Sequence, residues 1–130
     1  MRALITGAGR GIGRAVGARM AGVSDSLVLM DVDANSLADA ASELGRRTRI
    51  ETVVGSVASS EDCTRAAAAA AALGGLDALS HNAGIQRYGT VETTSEDLWA
   101  EVIAVNLTGA FLISKAVMPL LRASSRSMGD

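Results

Sequence analysis

The chain has 130 residues, 48% of them hydrophobic and 20% charged, with a formal net charge of −2 and a pI near 5.3. This is the size and composition of one ordinary globular domain, and the acidic balance speaks against an electrostatic nucleic-acid binder. A single cysteine (Cys63) and a single histidine (His81) exclude an internal disulfide and a protein-only zinc site of the usual kind.

Ala3–Thr6 reads as a first strand that runs into the glycine cluster Gly7-Ala8-Gly9-Arg10-Gly11-Ile12-Gly13. A helix over Gly11–Met20 follows, with Val16 and Met20 on one face. Glycines suit a sharp turn and let a phosphate approach bare backbone, while the helix start offers unpaired N–H groups and partial positive charge. Leu27-Val28-Leu29-Met30 is an unbroken apolar run, the mark of a parallel strand covered on both faces. Asp33 or Asn35 caps the next helix, whose Leu37, Ala40, Ala41 and Leu44 keep helical spacing until Gly45 ends it. The basic cluster Arg46-Arg47-Thr48-Arg49 falls between helix and strand and reads as a solvated turn.

Ile50–Val54 reads as the third strand, and Ser59-Ser60-Glu61-Asp62 opens a third helix as an S-x-x-D cap. The alanine tract Ala66–Ala72 reads as ordinary helix, closed by Gly74-Gly75. Leu76–Ser80 is the expected fourth strand, leaving through the loop His81-Asn82-Ala83-Gly84. Ser95 then caps a long helix through Leu121, with a kink or frayed last turn expected at Pro119. Strands and helices alternate with crossovers of the right length for a parallel sheet with helices on both faces. No apolar run approaches the ~20 residues of a membrane span, and the chain enters its first strand without a leader, so a soluble, cytoplasmic protein is expected.

The glycines fit T-G-x-x-x-G-x-G through Thr6, Gly7, Gly11 and Gly13, and Asp31 lies twenty residues past Gly11 at the end of the second strand. A carboxylate there suits both hydroxyls of an adenosine ribose and repels a 2′-phosphate. His81-Asn82-Ala83-Gly84 is similar to N-N-A-G, and Val105-Asn106-Leu107-Thr108-Gly109 to V-N-x-x-G. In these four signals the chain resembles the N-terminal half of the classical short-chain dehydrogenase/reductase family.

The resemblance implies a Rossmann-type doubly wound parallel sheet over residues 1–130, truncated after four strands and the following long helix. It implies that Gly7, Arg10, Gly11, Ile12 and Gly13 wrap a pyrophosphate, that Asp31 selects NAD over NADP, and that Asn82, Ala83 and Gly84 line the ribose side. Ser56 and Val57 stand where the family meets adenine, with Ser56 in place of the usual Asp. Asn106 corresponds to the asparagine of the family's catalytic group, whose backbone carbonyl helps to hold a proton-relay water. The family reaction is hydride transfer between NAD(P) and an alcohol or ketone, in homo-oligomers.

The family's catalytic Tyr-x-x-x-Lys has no match here, since the only tyrosine is Tyr88 and the only lysine Lys115. Arg10 is a residue type that some NADP users carry and pulls against Asp31. An oxidoreductase completed by other segments, a nucleotide-binding or interaction module without turnover, and a frameshifted or prematurely stopped product all fit. The last eight residues, Ala123–Asp130, have no strand character.

Overall fold

The computed structural model describes residues 1–128. Its elements run β1 (Arg2–Thr6), α1 (Gly11–Met20), β2 (Ser26–Asp31), α2 (Ala34–Leu44), β3 (Arg49–Val54), α3 (Ser60–Ala72), β4 (Ala78–His81), α4 (Glu96–Ile103), a π-helical turn (Ala104–Thr108) and α5 (Gly109–Met128). The four strands are parallel in the order β3-β2-β1-β4. This is the Rossmann-type α/β arrangement that the strand–helix alternation predicts, and β4 is an edge among the described strands.

Alternation along the central strands sends side chains to two separate cores. Leu4, Val28, Met30 and Val53 meet Ala66 and Ala70 of α3 and Ile113 and Val117 of α5 on one face. On the other, Ile5, Leu27 and Leu29 pack against Leu37, Ala40 and Leu44 of α2, with Val16 and Met20 of α1 at the margin. Burying each Leu or Ile contributes about 1.5–3 kcal/mol, and only a strand covered on both faces makes every one of its residues contribute. The alanine tract serves the first core: Ala66 and Ala70 are fully buried, and their small side chains let α3 lie close to the sheet.

Side chains cap three of the helices. Asp33 accepts from the amides of Asn35 and Ser36 at α2, Ser59 from Asp62 at α3, and Ser95 from Leu98 at α4. Gly74 and Gly75 close α3 with φ of 99° and 125°, as expected of that pair. Gly45 ends α2 with an ordinary φ of −63°, and a Cβ there would stand 2.8 Å from the Ala41 carbonyl oxygen. Close packing, not a left-handed turn, accounts for that glycine.

The largest differences from the sequence reading lie in β4 and at the end of the long helix. β4 begins at Ala78, opposite Ala3, and includes His81, opposite Thr6. Leu76 is buried ahead of the strand, and Asp77 turns its carboxylate onto Arg2. The long helix does not end at Leu121 but continues past Pro119 to Met128. Its last turns are tied down: Asp77 takes Arg2 Nε at 3.1 Å and Arg2 Nη2 at 2.8 Å, and it also accepts from the Ser124 hydroxyl. That anchorage offsets the ladder hydrogen bond that Pro119 removes.

Glu96–Ser127 form one helical stretch that is long and apolar enough to cross a membrane by length and composition. This qualifies the expectation from uninterrupted apolar runs, because helical continuity through the π turn joins shorter ones. Within this stretch Ile113 and Val117 are buried against the sheet and α3. Leu107, Phe111 and Met118 stay exposed.

Candidate nucleotide-binding site

The site forms where β1 and β4 diverge at their C-terminal ends. Beyond Thr6 the chain reverses at Gly7, whose φ of +63° disfavours any residue with a Cβ. The turn is packed from both sides: a Cβ on Gly7 would stand 2.9 Å from the Ala83 amide nitrogen, and one on Gly13 would stand 2.1 Å from the Gly7 oxygen. Glycine is therefore required at 13 by space and at 7 by both space and backbone conformation. Ala8 closes the turn by donating to the Met30 carbonyl at 3.1 Å.

The first turn of α1 differs from those of α2, α3 and α4. Its N-cap is Arg10, which makes no side-chain cap hydrogen bond. Amides at such an end stay available, and together with the helix dipole they favour an anion. Ile12 and Gly13 line the cleft in front of that end, with the Ile12 side chain largely exposed at its mouth.

Asp31 closes the far end. Its carboxylate accepts from the Gly9 amide at 2.9 Å and the Asp33 amide at 3.0 Å, which fixes both oxygens at the rim of the glycine turn. Val32 is exposed beside it. Arg10 adds a favourable field to Asp33, whose carboxyl is held below its usual range mainly by the Ser36 amide.

Gly55, Ser56 and Val57 form the wall after β3. The Ser56 amide donates to Asp62 at 2.9 Å, and its hydroxyl accepts from the Ala58 amide at 3.1 Å. Arg65 is the main influence that holds the Asp62 carboxyl low, followed by the Ser56 amide. Cys63, next along α3, is buried, which pushes its thiol up.

The opposite wall is the loop leaving β4, Asn82-Ala83-Gly84, with Ile85 and Val105. The buried Thr6 hydroxyl accepts from the amides of Asn82 at 3.0 Å and Ala83 at 3.2 Å, and lies 2.7 Å from His81 Nδ1. Asn106 sits in the π turn and grips the same loop from the other side. Its Oδ1 accepts from the Ile85 amide and its Nδ2 donates to the Ile85 carbonyl, both at 2.8 Å. The wider turn is marked by the Gly109 amide bonding to the Ala104 carbonyl, five residues back. Such π turns are found frequently at functional sites.

Of the residues singled out for cofactor in the sequence, all but Gly11 line this one cleft. Gly11 has a φ of +56° with open space where a Cβ would be, so backbone conformation places it in the turn. The motif did not single out Gly9, Gly55, Ile85 or Val105. The carboxylate of Asp31 approaches Gly9 so closely that a Cβ there would stand 3.0 Å from Asp31 Oδ2. Its position two residues past Gly7 was the only available signal. Tyr88 is exposed in the loop after β4, and Lys115 lies 5.7 Å above the Phe111 ring, so the structure does not join them into an acid–base pair. No group of three or more His, Cys, Asp or Glu among the described residues could hold a metal ion.

The model of the family described as short chain dehydrogenase matches residues 1–130. The chain belongs to the short-chain dehydrogenase/reductase family. Among its curated members, galactitol 2-dehydrogenase (L-tagatose-forming) of Cereibacter sphaeroides is 38% identical over 114 residues, covering 88% of this chain and 44% of that enzyme. Carveol dehydrogenase of Mycobacterium avium, solved with NAD, superposes with a TM-score of 0.90 at 27% identity, covering 96% of this chain and 50% of that one. L-Sorbose reductase of Gluconobacter frateurii, solved with NADPH and L-sorbose, gives 0.88 at 26% identity, covering 95% and 48%. The chain thus spans about half the length of these short-chain dehydrogenases and carries their dinucleotide-binding fold.

Proposed function

We propose that these residues hold the NAD side of an oxidoreductase that transfers hydride between an alcohol and a ketone. The observation that carries this reading is one cleft in which the uncapped end of α1 faces the anchored carboxylate of Asp31. The α1 amides and the glycine turn suit the pyrophosphate. Asp31 suits the ribose hydroxyls and repels a 2′-phosphate. Ser56 and Val57 border the adenine, and Asn82, Ala83 and Gly84 the nicotinamide ribose. NAD is therefore preferred over NADP.

Asn106 keeps the role implied by the family, in which its backbone carbonyl helps to hold a water, while its side chain is locked on Ile85. The acid and base of the reaction are not among these residues, because Tyr88 and Lys115 lack the required spacing. A second copy covers the exposed face of Leu107, Phe111 and Met118, and the protein works in the cytoplasm on a small-molecule substrate. A second reading, a nucleotide-binding module without turnover, is supported by the exposed Tyr88 and by Lys115 lying over Phe111 instead of beside that tyrosine.

Calorimetric titration of the 130-residue chain with NAD and NADP tests the first part, with Asp31→Ala as the control. Tighter NAD binding, reduced or reversed in the variant, is expected; equal or tighter NADP binding to the parent overturns the cofactor assignment. An NADH absorbance assay over a panel of secondary alcohols and ketones separates the two readings. The 130 residues alone are expected to give no turnover, and restored turnover on adding the acid–base segment of a relative selects the oxidoreductase.

A further inference from the structure

The Thr6 hydroxyl has a definite proton arrangement. Its oxygen accepts from two amides, Asn82 and Ala83, which occupies both lone pairs. The Thr6 proton is then directed to the remaining neighbour, His81 Nδ1, 2.7 Å away. His81 is therefore the acceptor in that bond and must be the neutral tautomer with its proton on Nε2. β4 places it there by pairing His81 with Thr6 in register.

We propose that His81 is a positioning residue whose neutral ring locks the Thr6 hydroxyl and, through it, the Asn82-Ala83 wall of the cleft, so that protonating His81 loosens the wall and weakens nucleotide binding. This rests on the nucleotide-binding reading given above. An imidazolium has two N–H donors and no acceptor, so it cannot take the Thr6 proton. The hydroxyl must then turn, and one of the two amides loses its acceptor. Those amides belong to the segment that packs on Gly7, where a Cβ would stand 2.9 Å from the Ala83 nitrogen. Movement of the wall is thereby transmitted to the turn that faces the pyrophosphate.

Burial supports the neutral form, since it alone lowers the His81 pKa from its ordinary value. The ionic groups on the elements packed on this side of the sheet are paired, neutral or exposed on the helix surfaces, Glu61 of α3 and Arg126 of α5 being among the exposed ones. On α3, Asp62 is paired with Arg65 and Cys63 is a buried thiol. On α5, Lys115 lies over Phe111 and Arg122 stands near it on the helix surface; on β1, Arg2 is bound to Asp77 at the far end. None of them contributes to the His81 shift. Because the native state disfavours the proton, this contribution to stability is fully present above the ordinary histidine pKa of ~6.5 and is lost as pH falls from there to the lowered native value, where the wall itself opens.

The test uses the full chain, in which a single histidine makes the NMR assignment unambiguous. Ring nitrogen-15 shifts at pH 8 should show the Nε2–H tautomer, and amide exchange at Asn82 and Ala83 should speed up as His81 titrates. NAD affinity should fall roughly five- to tenfold between pH 8 and pH 5, the scale of one lost hydrogen bond. His81→Asn keeps an acceptor that does not titrate, so it should bind within about twofold of the parent at pH 8 and flatten the pH profile. His81→Ala removes the acceptor without adding a donor, so its affinity should lie between the parent's values at pH 8 and pH 5 and should not change with pH over that range. An Nδ1–H tautomer, exchange indifferent to His81 titration, or an unchanged pH profile in His81→Asn would overturn the proposal. If NAD binds at no pH while tautomer and exchange behave as stated, the Thr6–His81 lock stands and the nucleotide reading falls.

Discussion

On the β2 side of the sheet, Leu27 to Met30 are each at most 1% exposed, whereas all four residues of β4 are only half-buried. The same contrast runs through the helices. α2 buries its whole apolar face, while α4 and α5 leave Trp99, Phe111 and Met118 in solvent. β2 is covered on both faces and holds Asp31 and the glycine turn against one another, although β3 beyond it is a largely exposed edge. The β4 side is a frame with an open edge and an apolar outer surface, as expected where further protein packs. The cleft lies between the two, so its rigid wall belongs to the finished side and its adjustable wall to the open one.

The largest effect is expected from Gly13→Val, which drives a side chain into the Gly7 oxygen at the rigid wall. It should cost about 3 kcal/mol in urea denaturation and abolish NAD binding; an unchanged midpoint would show that the turn can yield. Asp77→Ala tests the open side, where that carboxylate holds Arg2 and the end of α5. A loss of about 2 kcal/mol is expected, with proteolysis starting in the last turns of α5.

Asp77 also predicts a pH dependence. Its carboxyl is held far below the usual range, first by Arg2 and then by Ser124. The unfolded chain therefore takes up protons first, and the stabilisation is present above about pH 4 and lost as pH falls further. Urea midpoints from pH 6 to pH 3 should show this slope, and Asp77→Asn should reduce it.

Ser59→Ala removes the cap of α3 and should cost about 1 kcal/mol. Arg10→Ala, at the end without a side-chain cap, should leave stability within about 0.5 kcal/mol. Equal losses at both ends would erase the distinction drawn between them. The smallest effect on the fold is expected from Phe111→Glu, since Phe111 packs on nothing in the core. Light scattering tests the proposed second copy on this face: the parent is expected to associate and Phe111→Glu to stay monomeric, and equal behaviour of the two would remove that proposal.

Much of the rigid side was legible in the residues. The β2 run, the spacing of Leu37, Ala40 and Leu44, and the glycine turn before α1 are local patterns whose period or backbone demand has one natural reading. The open side was less legible. Leu76 looks like strand because it is buried, yet it lies ahead of β4, and Pro119 looks like a terminus although α5 runs through it. Both places are held by distant groups, Asp77 by Arg2 and Ser124 in turn by Asp77.

By itself the sequence determined the order of strands and helices, the caps at Ser59 and Ser95, the choice of Asp33 or Asn35 at α2, the need for glycine at the first turn, and the family. These depend on neighbours within a few residues, where helical and strand periods and capping chemistry act. Only the tertiary structure decided that Gly9 anchors Asp31, that Asn106 grips Ile85, and that Thr6 sits between His81 and the Asn82-Ala83 amides. The Thr6 contacts join positions some 75 residues apart and exist only because β1 and β4 pair in one register. Hydrogen bonds of that kind carry no local period, since a hydroxyl or carboxamide finds its partner only after the sheet has brought the two together.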